Sequence, residues 1–216
     1  MVKLLKIDLH IHTCYSDGDS VERIIYMALK RGLDGIAITD HYTLKGYLAA
    51  RKYSRKLIIL PGMEIKTEVG HILLLGLDTN IGKIPLKIGE LIDFTRDNNI
   101  ITILAHPFTH INKVKRYLNE IRKLDAIETH NSLYPLFPIA VKISQNLSKY
   151  LNLPSTGGSD AHIYNQVGNC YTIFNDKEIY EAIRKCKVEP RGNSSKIDQR
   201  VELMMRYLIH TFLEKL

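Results

Sequence analysis

The sequence predicts an α/β fold in which a parallel β-sheet closes into a barrel. Short apolar runs alternate with amphipathic helical stretches along the whole 216-residue chain, as they do in proteins built from β-α units. About seven such units fit into the chain, which favours a barrel. Histidine and acidic residues also follow several of the apolar runs, where the active sites of such barrels lie.

The first half of the chain shows the alternation clearly. The spacing of apolar residues from Val21 onwards predicts an amphipathic helix. We expect it to begin near Asp19 or Ser20, where Asp19 and Glu22 resemble a capping box, and to end at Gly32. Strands are predicted over residues 4–13, 35–41, 57–65 and 68–77, and a second helix over residues 43–55.

The second half continues the pattern and ends in a helix. Strands are predicted over residues 101–105, 126–129, 154–158 and 171–174, and helices after Pro85, around 114–121, around 140–147 and over 176–185. The last helix follows a polar loop over 191–196, and we expect its apolar stripe to dock on the barrel; the stripe comprises Val201, Met204, Met205, Leu208 and Phe212. The predicted division is therefore a barrel over residues 1–190 with a loop and helix over 191–216 packed on the same domain.

Composition excludes several classes of protein. Hydrophobic residues make up 45% and charged residues 25% of the chain, which is typical of globular proteins. The longest apolar runs fall well short of the ~20 residues of a membrane span, and Lys6 and Asp8 interrupt any signal-peptide core. We therefore expect a cytoplasmic protein with no membrane partner. Three cysteines without Cys-x-x-Cys spacing indicate neither a disulfide framework nor a zinc knuckle.

The charge balance and the histidine content point towards anions and metals. The formal net charge is +7, which leaves an anionic substrate or nucleic acid open as a partner, although solvated surface lysines would also explain it. Nine histidines occur, eight of them before residue 163. His10 and His12 stand two apart on a predicted strand, so both side chains point to one side and could bind one metal ion.

Further candidate residues follow later strands, where they would converge on one rim of the barrel. They occur in the segments DLHIHTCYSDG, ITDHYT, PGMEI, GHILLLG, AHP and GGSDAH. On these motifs the chain resembles the PHP superfamily, the polymerase and histidinol phosphatase group of metal-dependent phosphoesterases, over roughly residues 4–175. The resemblance implies a distorted, TIM-like (β/α)7 barrel of the PHP type and up to three divalent metal ions at its rim.

The resemblance also implies a set of ligands. A first ion would be held by His10, His12, Glu64 and Asp160, a second by Glu64, His71 and His106, and a third by Asp17, His41 and His162. The residues to which it assigns catalytic roles are Glu64, Asp160, His162 and His41. Six imidazoles and three carboxylates suit manganese, zinc or iron better than magnesium or calcium. Three carboxylates beside three divalent ions would leave a net charge of +3, which suits a phosphate dianion.

Some of these residues have a second interpretation. His71 could be a core or hairpin histidine, and Asp17 could stabilise the Ser-Asp-Gly turn. Asp40 points to the opposite side of its strand from His41, so it is expected to support the site rather than to bind a metal ion. Asp8 alternates in register with the histidines and is expected to have a structural role.

Residues outside the ligand set receive weaker predictions. Glu128 and His130 end a predicted strand and are expected to share a face, and His130 and Asn131 are candidate substrate contacts. Arg191 could reach back to a phosphate through its guanidinium group, or be an ordinary surface arginine. His110 follows a predicted turn and His210 lies in the last helix, and both are expected to be bystanders.

The sequence thus predicts a metal-dependent phosphoric ester hydrolase that uses a hydroxide bridging two metal ions as its nucleophile. A polymerase module does not fit within 216 residues, so we expect a stand-alone enzyme acting on a small phosphomonoester, a nucleotide or a short oligonucleotide. The sequence decides neither between a monomer and a homo-oligomer nor which group protonates the leaving alkoxide. The alternatives are a non-catalytic RNA-binding protein on a related barrel, which would have lost ligand residues, and an amidohydrolase-like metal hydrolase, whose usual ligand set fits less well.

Overall fold

The computed structural model of the protein describes residues 4–213. The side chains of His210 and Phe212 are not among those described, so the expectations for them stay predictions. The strands are β1 Leu5–Asp8, β2 Gly35–Ile38, β3 Ile58–Lys66, β4 His71–Leu75, β5 Ile101–Leu104, β6 Ala126–Asn131, β7 Ser155–Gly158, β8 Cys170–Phe174 and β9 Val188–Gly192. The helices are α1 Val21–Lys30, α2 Lys45–Ala50, α3 Ile88–Asp97, α4 Ile111–Val114, α5 Leu118–Ile121, α6 Phe137–Leu151, α7 Ile179–Arg184 and α8 Ile197–Leu213.

The strands form one mixed sheet in the order β7-β6-β5-β4-β3-β2-β1-β8-β9. β1, β2 and β3 pair in parallel, as do β5, β6 and β7. β4 turns back from β3 and pairs antiparallel with both β3 and β5, and β8 runs antiparallel to β1 and β9. The predicted α/β barrel is confirmed, but its sheet is mixed where a parallel one was expected. The barrel is distorted because β4 enters as the second arm of a hairpin rather than after a helix, and β8 runs antiparallel to β1.

Hydrogen bonds near the carboxyl ends of the strands draw the sheet towards closure. The backbone N–H of Asp160, just after β7, donates to the carbonyl of His10, just after β1, at 2.9 Å. Two residues further along, His12 N–H donates to the carbonyl of Ala161 at 3.0 Å. The first and last motifs of the chain are therefore neighbours at one rim, although about 150 residues separate them.

The apolar core lies on both faces of the sheet. In β4, Leu74 packs with Leu91 and Ile92 of α3, whereas its neighbour Leu73 belongs to an apolar cluster with Ile7 and other strand residues. Successive side chains of a strand point to opposite faces, so a strand covered on both faces reads as a continuous apolar run. This explains the sequence Ile-Leu-Leu-Leu, which shows no polar alternation.

For the first helix, the predicted end is confirmed but the predicted capping box at its start is not. Gly32 ends α1 with a φ of 65°, as its position predicted. The predicted capping box is wrong, because Ser20 occupies the N-cap position and no side chain caps the helix. Asp19 instead accepts hydrogen bonds from Arg23 and from the backbone N–H of Tyr164, 145 residues away.

The carboxyl-terminal region differs from expectation in two respects. Arg191 lies on an edge strand, β9, rather than in a loop, and this strand spans the predicted division between residues 190 and 191. The described part of the apolar stripe on α8 does not dock on the barrel, because Met204 is 54% and Leu208 58% exposed. Polar contacts attach the helix instead, chiefly Arg200, which donates hydrogen bonds to three backbone carbonyls over residues 132–134.

No helix among residues 4–213 is long and apolar enough to cross a membrane.

Candidate metal centre

The barrel rim carries a cluster of nine side chains that come from the ends of several strands. We call it the rim cluster; its members are His10, His12, Asp17, His41, Glu64, His71, His106, Asp160 and His162. These are the residues that the sequence comparison with the PHP superfamily selected, and the structure brings all of them together. Most are fully or nearly fully buried, whereas Asp17, His41 and His71 are partly exposed.

Glu64 lies at the centre of the rim cluster, and its residue is only 1% exposed. Oε1 lies 2.8 Å from His71 Nδ1 and 3.2 Å from His106 Nε2. Oε2 lies 3.2–3.4 Å from imidazole nitrogens of His10, His12 and His41. One carboxylate thus faces five imidazoles, with its two oxygens turned to different halves of the cluster.

Asp160 closes the cluster from the segment that follows β7. Its Oδ1 lies 3.4 Å from Nε2 of both His10 and His12. The backbone at Asp160 has a φ of 55°, in the left-handed region that non-glycine residues seldom adopt. Asn131 Nδ2 donates a hydrogen bond to Asp160 Oδ2 at 3.1 Å. The carboxylate is therefore held in place from β6 while it faces the two histidines.

Asp17 gathers a third group of donors at the outer side of the cluster. Its carboxylate lies 3.3 Å from His162 Nε2 and 3.6 Å from both His12 Nδ1 and His41 Nε2. The next residue, Gly18, has to be a glycine in this conformation, because a Cβ there would lie 2.1 Å from the carbonyl oxygen of His12. The Ser-Asp-Gly turn therefore folds tightly against the first histidine motif and places Asp17 beside it.

The donor atoms form three compact groups, in each of which the atoms lie within 4.8 Å of one another. The groups are His12, Asp17, His41 and His162; His10, His12 and Asp160; and His10, Glu64 and His106. These groups share most members with the predicted ligand sets. The group that contains Glu64 and His106, however, includes His10 in the place where His71 was predicted. The division of the nine residues among individual ions stays a prediction.

The electrostatics of the rim cluster favour cations. Burial opposes ionisation of Glu64 and Asp160, but the adjacent imidazoles, His10 first among them, hold the pKa of both carboxyl groups well below the usual range. Burial likewise opposes protonation of His12, yet hydrogen bonding to Asp160 and Glu64 raises the pKa of its imidazole to about 10. Without metal ions, protons on the histidines balance the buried carboxylates.

The residues present fit divalent metal ions. His12 Nδ1 is buried and has no hydrogen-bond partner among the described residues, which is costly for a polar atom unless another group binds it. It points towards the donors of Asp17, His41 and His162. Mixed imidazole and carboxylate donors at this spacing are the ligands that zinc, manganese and iron prefer.

A second layer of buried carboxylates orients the donors. Glu128 Oε1 lies 3.0 Å from His10 Nδ1, and its Oε2 accepts hydrogen bonds from the backbone N–H of His106 and from Asn131 Nδ2. Asp40 accepts hydrogen bonds from Thr13 at 2.6 Å and so fixes the turn that carries Asp17. Such outer carboxylates fix the orientation of ligand histidines and increase their basicity.

Asp8 supports the backbone beneath the cluster, in keeping with its expected structural role. It accepts hydrogen bonds from the backbone N–H groups of His10, Ser159 and Gly168. Burial raises the pKa of the Asp8 carboxyl group to about 6 in spite of these bonds. This one side chain joins the segment after β1 to the segments before and after His162.

The predicted substrate contacts lie in different places. Asn131 reaches the rim cluster through Asp160, but His130 does not, because the β6–β7 register shifts between Glu128 and His130. The extra residue breaks the alternation, so the expectation that Glu128 and His130 share a face is wrong. Arg191 lies 2.5 Å from Glu189 in an exposed ion pair. In the described part of the chain, neither His130 nor Arg191 has a hydrogen bond or ion pair to the cluster, and their substrate roles stay predictions.

His110, which was expected to be a bystander, borders the rim cluster. Its ring centroid lies 5.5 Å from that of His71 and 5.9 Å from that of His106, and its bystander role stays a prediction. The backbone of His106 has a φ of 30°, and the short 3₁₀-helix Pro107–His110 folds back over the rim. The four-residue spacing between His106 and His110 could have indicated this proximity.

Comparison with known proteins places this site in a family. Residues 8–143 match the model of the PHP domain, and residues 138–188 match a model described as PHP-associated. An uncharacterized protein of Methanocaldococcus jannaschii is 33% identical over 144 residues, which are 60% of this chain and 84% of that protein. A phosphoribosyl 1,2-cyclic phosphate 1,2-diphosphodiesterase of Eggerthella lenta is 31% identical over 102 residues, which are 43% of this chain and 39% of that protein.

Solved structures show the same fold. A two-domain protein of Bacteroides vulgatus that contains a predicted PHP-like metal-dependent phosphoesterase has a TM-score of 0.70 and 19% identity, covering 94% of this chain and 70% of that one. An amidohydrolase of Chromobacterium violaceum, with bound sulfate and no metal, has a TM-score of 0.66 and 15% identity, covering 85% of this chain and 97% of that one. At these identities the likeness concerns the fold alone.

Proposed function

Since this chain belongs to the PHP domain family, we propose that it is a hydrolase that cleaves a phosphoester bond with divalent metal ions held by the rim cluster. The observation that carries the proposal is the cluster itself, in which Glu64 faces five imidazoles while a buried nitrogen of His12 has no hydrogen-bond partner among the described residues. Five imidazole nitrogens around one buried carboxylate exceed what a structural hydrogen-bond network needs, whereas a metal centre uses such a set of donors.

We propose up to three ions, with manganese, zinc and iron as the candidates that the donor types favour. His10, His12, Glu64 and Asp160 would hold the first ion, Glu64, His71 and His106 the second, and Asp17, His41 and His162 the third. Bound divalent ions supply a nucleophile from water at neutral pH and neutralise charge on the phosphoryl oxygens. We propose that the nucleophile is the hydroxide expected between two of these ions.

The chain's own residues prepare this chemistry by fixing which nitrogen faces the cluster. The contact of His10 Nδ1 with Glu128 leaves its Nε2 turned towards Glu64 and Asp160. His162 Nδ1 lies 2.9 Å from the backbone carbonyl of Asp160, which leaves its Nε2 for Asp17 and its neighbours. The hydrogen-bond partner of one ring nitrogen thus determines which nitrogen is free to bind a metal ion.

We propose substrates from a class that includes small phosphomonoesters, nucleotides and short oligonucleotides. The relative from Eggerthella lenta is named a diphosphodiesterase, which supports phosphoester chemistry on a small sugar phosphate. The retained cluster argues against the non-catalytic RNA-binding alternative, since a binding surface needs lysines but not nine buried or half-buried ligand-type residues. The likeness to an amidohydrolase rests on fold alone and supports no C–N bond hydrolysis here.

The proposed function is tested by a hydrolysis screen on protein reconstituted with manganese, zinc or iron. We expect two or three ions per chain by elemental analysis and release of phosphate or nucleotide from at least one class of phosphoester. His12→Ala should remove metal and activity together, whereas the exposed Met205→Ala should change neither. Substoichiometric metal with all three metals supplied, or the absence of any cleavage, would overturn the proposal.

A further inference from the structure

A cavity of about 400 Å³ lies beside the rim cluster, between the segment that follows β1 and helix α8. Ser16, Asp17 and Gly18 line one side, and Leu203, Arg206 and Tyr207 line the other. Because Asp17 is both a wall of the cavity and a member of the third donor group, the cavity adjoins the candidate metal centre. We call it the α8 cavity.

Tyr207 forms the wall of the α8 cavity nearest the cluster. Its ring centroid lies 6.2 Å from that of His162, and its hydroxyl has no hydrogen-bond partner among the described side chains. Burial, followed by the charges of Asp17 and Asp160, raises the pKa of the Tyr207 phenol above its usual range. The side chain therefore offers a half-exposed ring and a neutral hydroxyl to whatever occupies the cavity.

Arg206 brings no free positive charge to the cavity. Its Nη2 lies 3.1 Å from Asp19 Oδ2 and 3.2 Å from Glu202 Oε1, so two carboxylates balance the guanidinium group. The other two α8 residues that line the cavity are Leu203, which is apolar, and Tyr207, which is aromatic. Such a wall suits an uncharged, planar group better than a second phosphate.

The position of α8 is fixed by several polar contacts, so the wall is preorganised. Arg200 donates hydrogen bonds to backbone carbonyls over residues 132–134, Gln199 donates to the carbonyl of Asn165, and Asn165 donates to Glu202. The family models match no residue beyond 188. The wall formed by α8 thus belongs to this chain's own carboxyl-terminal region rather than to the matched family core.

We propose that the α8 cavity binds the alcohol portion of the phosphoester substrate, and that this portion carries an aromatic ring packed against Tyr207. The inference rests on the proposed function, which places the phosphoryl group at the rim cluster. A cavity of this size exceeds what a phosphate group needs and falls within the range of small-molecule sites.

The first test measures binding without hydrolysis. Metal-reconstituted protein is titrated calorimetrically with phenylphosphonate and with methylphosphonate, which share the anionic group and differ in the ring. We expect the protein to bind phenylphosphonate about tenfold more tightly, the equivalent of about 1.4 kcal/mol. Tyr207→Ala should remove most of this preference while leaving the methylphosphonate affinity unchanged, and Tyr207→Phe should keep it.

The controls separate the cavity from the helix that carries it. Met204→Ala, an exposed site on α8 that does not line the cavity, should leave the preference intact. The chain contains no tryptophan, so Tyr207→Trp adds a single fluorophore whose emission should respond to phenylphosphonate and not to methylphosphonate. A wild type without preference for the ring, a preference that survives Tyr207→Ala, or a fluorophore that responds equally to both would overturn the inference.

A second measurement distinguishes this inference from the proposed function. With phenyl phosphate and methyl phosphate as substrates, Tyr207→Ala should raise KM about tenfold for the aromatic ester alone and change kcat less than about twofold. If both esters are cleaved and Tyr207→Ala changes their KM values equally, the cavity assignment is wrong, whereas the proposed hydrolase activity is supported. If neither ester nor any other phosphoester is cleaved, but the phosphonate preference depends on Tyr207, the proposed function fails, and with it the assignment of the cavity to a substrate's alcohol portion, although the cavity still binds an aromatic ring.

Discussion

The rim cluster and the apolar core beneath it are built from the same strands, yet they follow opposite physical rules. In β3, Met63 contributes to an apolar cluster, and the adjacent Glu64 is also buried but faces five imidazoles. Burial of apolar surface stabilises the fold, whereas buried ion pairs seldom repay their desolvation cost. The difference indicates that the core stabilises the fold, whereas the rim cluster fits the proposed metal binding better than a role in stability.

The comparison predicts its largest effect at Glu64. Glu64→Gln preserves the volume of the side chain but removes the charge that faces both halves of the cluster. We expect kcat to fall roughly 10³-fold or more, because both halves lose the same ligand and the nucleophile is misplaced. Turnover with saturating metal and elemental analysis of the purified variant measure this effect.

The matched control is Asp93→Asn, the same acid-to-amide change on the exposed side of α3. It should leave both activity and metal content unaltered. Comparable activity in Glu64→Gln and the wild type, with metal saturating, would contradict the central role of this carboxylate.

The core should respond in the opposite way. Leu74 is fully buried in the cluster that joins β4 to α3, so Leu74→Ala removes apolar contacts and leaves a cavity. We expect the free energy of unfolding to fall by about 3 kcal/mol, with kcat per folded molecule unchanged at low temperature. Urea unfolding and active-site titration measure the two quantities. A loss of activity in Leu74→Ala without a loss of stability would contradict the distinction between the core and the rim cluster.

Apolar runs that alternate with helices predicted the barrel, because this pattern is short-range. The resemblance of the motifs at strand ends to the PHP superfamily implied the nine cluster residues, for which the local pattern alone left second interpretations open at Asp17 and His71. The sequence did not predict that β4 pairs antiparallel, since a continuous apolar run gives no direction. Nor did it reveal the register shift at Thr129, which turns His130 away from the cluster. The exposed stripe on α8 resembles a docked face in its spacing, and only tertiary contacts such as those of Arg200 determine which face packs.

Between rim and core lies the outer layer of carboxylates, for which we expect intermediate effects. Glu128→Gln keeps hydrogen-bond acceptors for His106 N–H and Asn131 but removes the charge beside His10 Nδ1. We expect metal affinity to fall 10- to 100-fold, as in other sites where an outer carboxylate is lost. Competition with a chromophoric chelator measures the affinity. The exposed Glu90→Gln serves as control, and an unchanged affinity in Glu128→Gln would show that the outer layer acts only on the fold.

The smallest expected effect is a dependence of metal affinity on pH. In the absence of metal, hydrogen bonds to Asp160 and Glu64 outweigh burial and raise the pKa of His12 to about 10. The imidazole therefore carries a proton at pH 7–9, and a metal ion, which needs the neutral ring, must displace it. Affinity should accordingly rise with pH, by up to about tenfold per pH unit for each proton displaced.

Proton release distinguishes the rim from histidines elsewhere in the molecule. Calorimetric titrations with metal in two buffers of different ionisation enthalpy should give different apparent enthalpies, and the difference should shrink in His12→Ala. His130 lies outside the rim cluster, and burial followed by the charge of Arg191 lowers the pKa of its ring, so His130→Gln should release as many protons as the wild type. Equal apparent enthalpies in both buffers would mean that the cluster is already deprotonated, and that its carboxylates are balanced by something other than protons on the imidazoles.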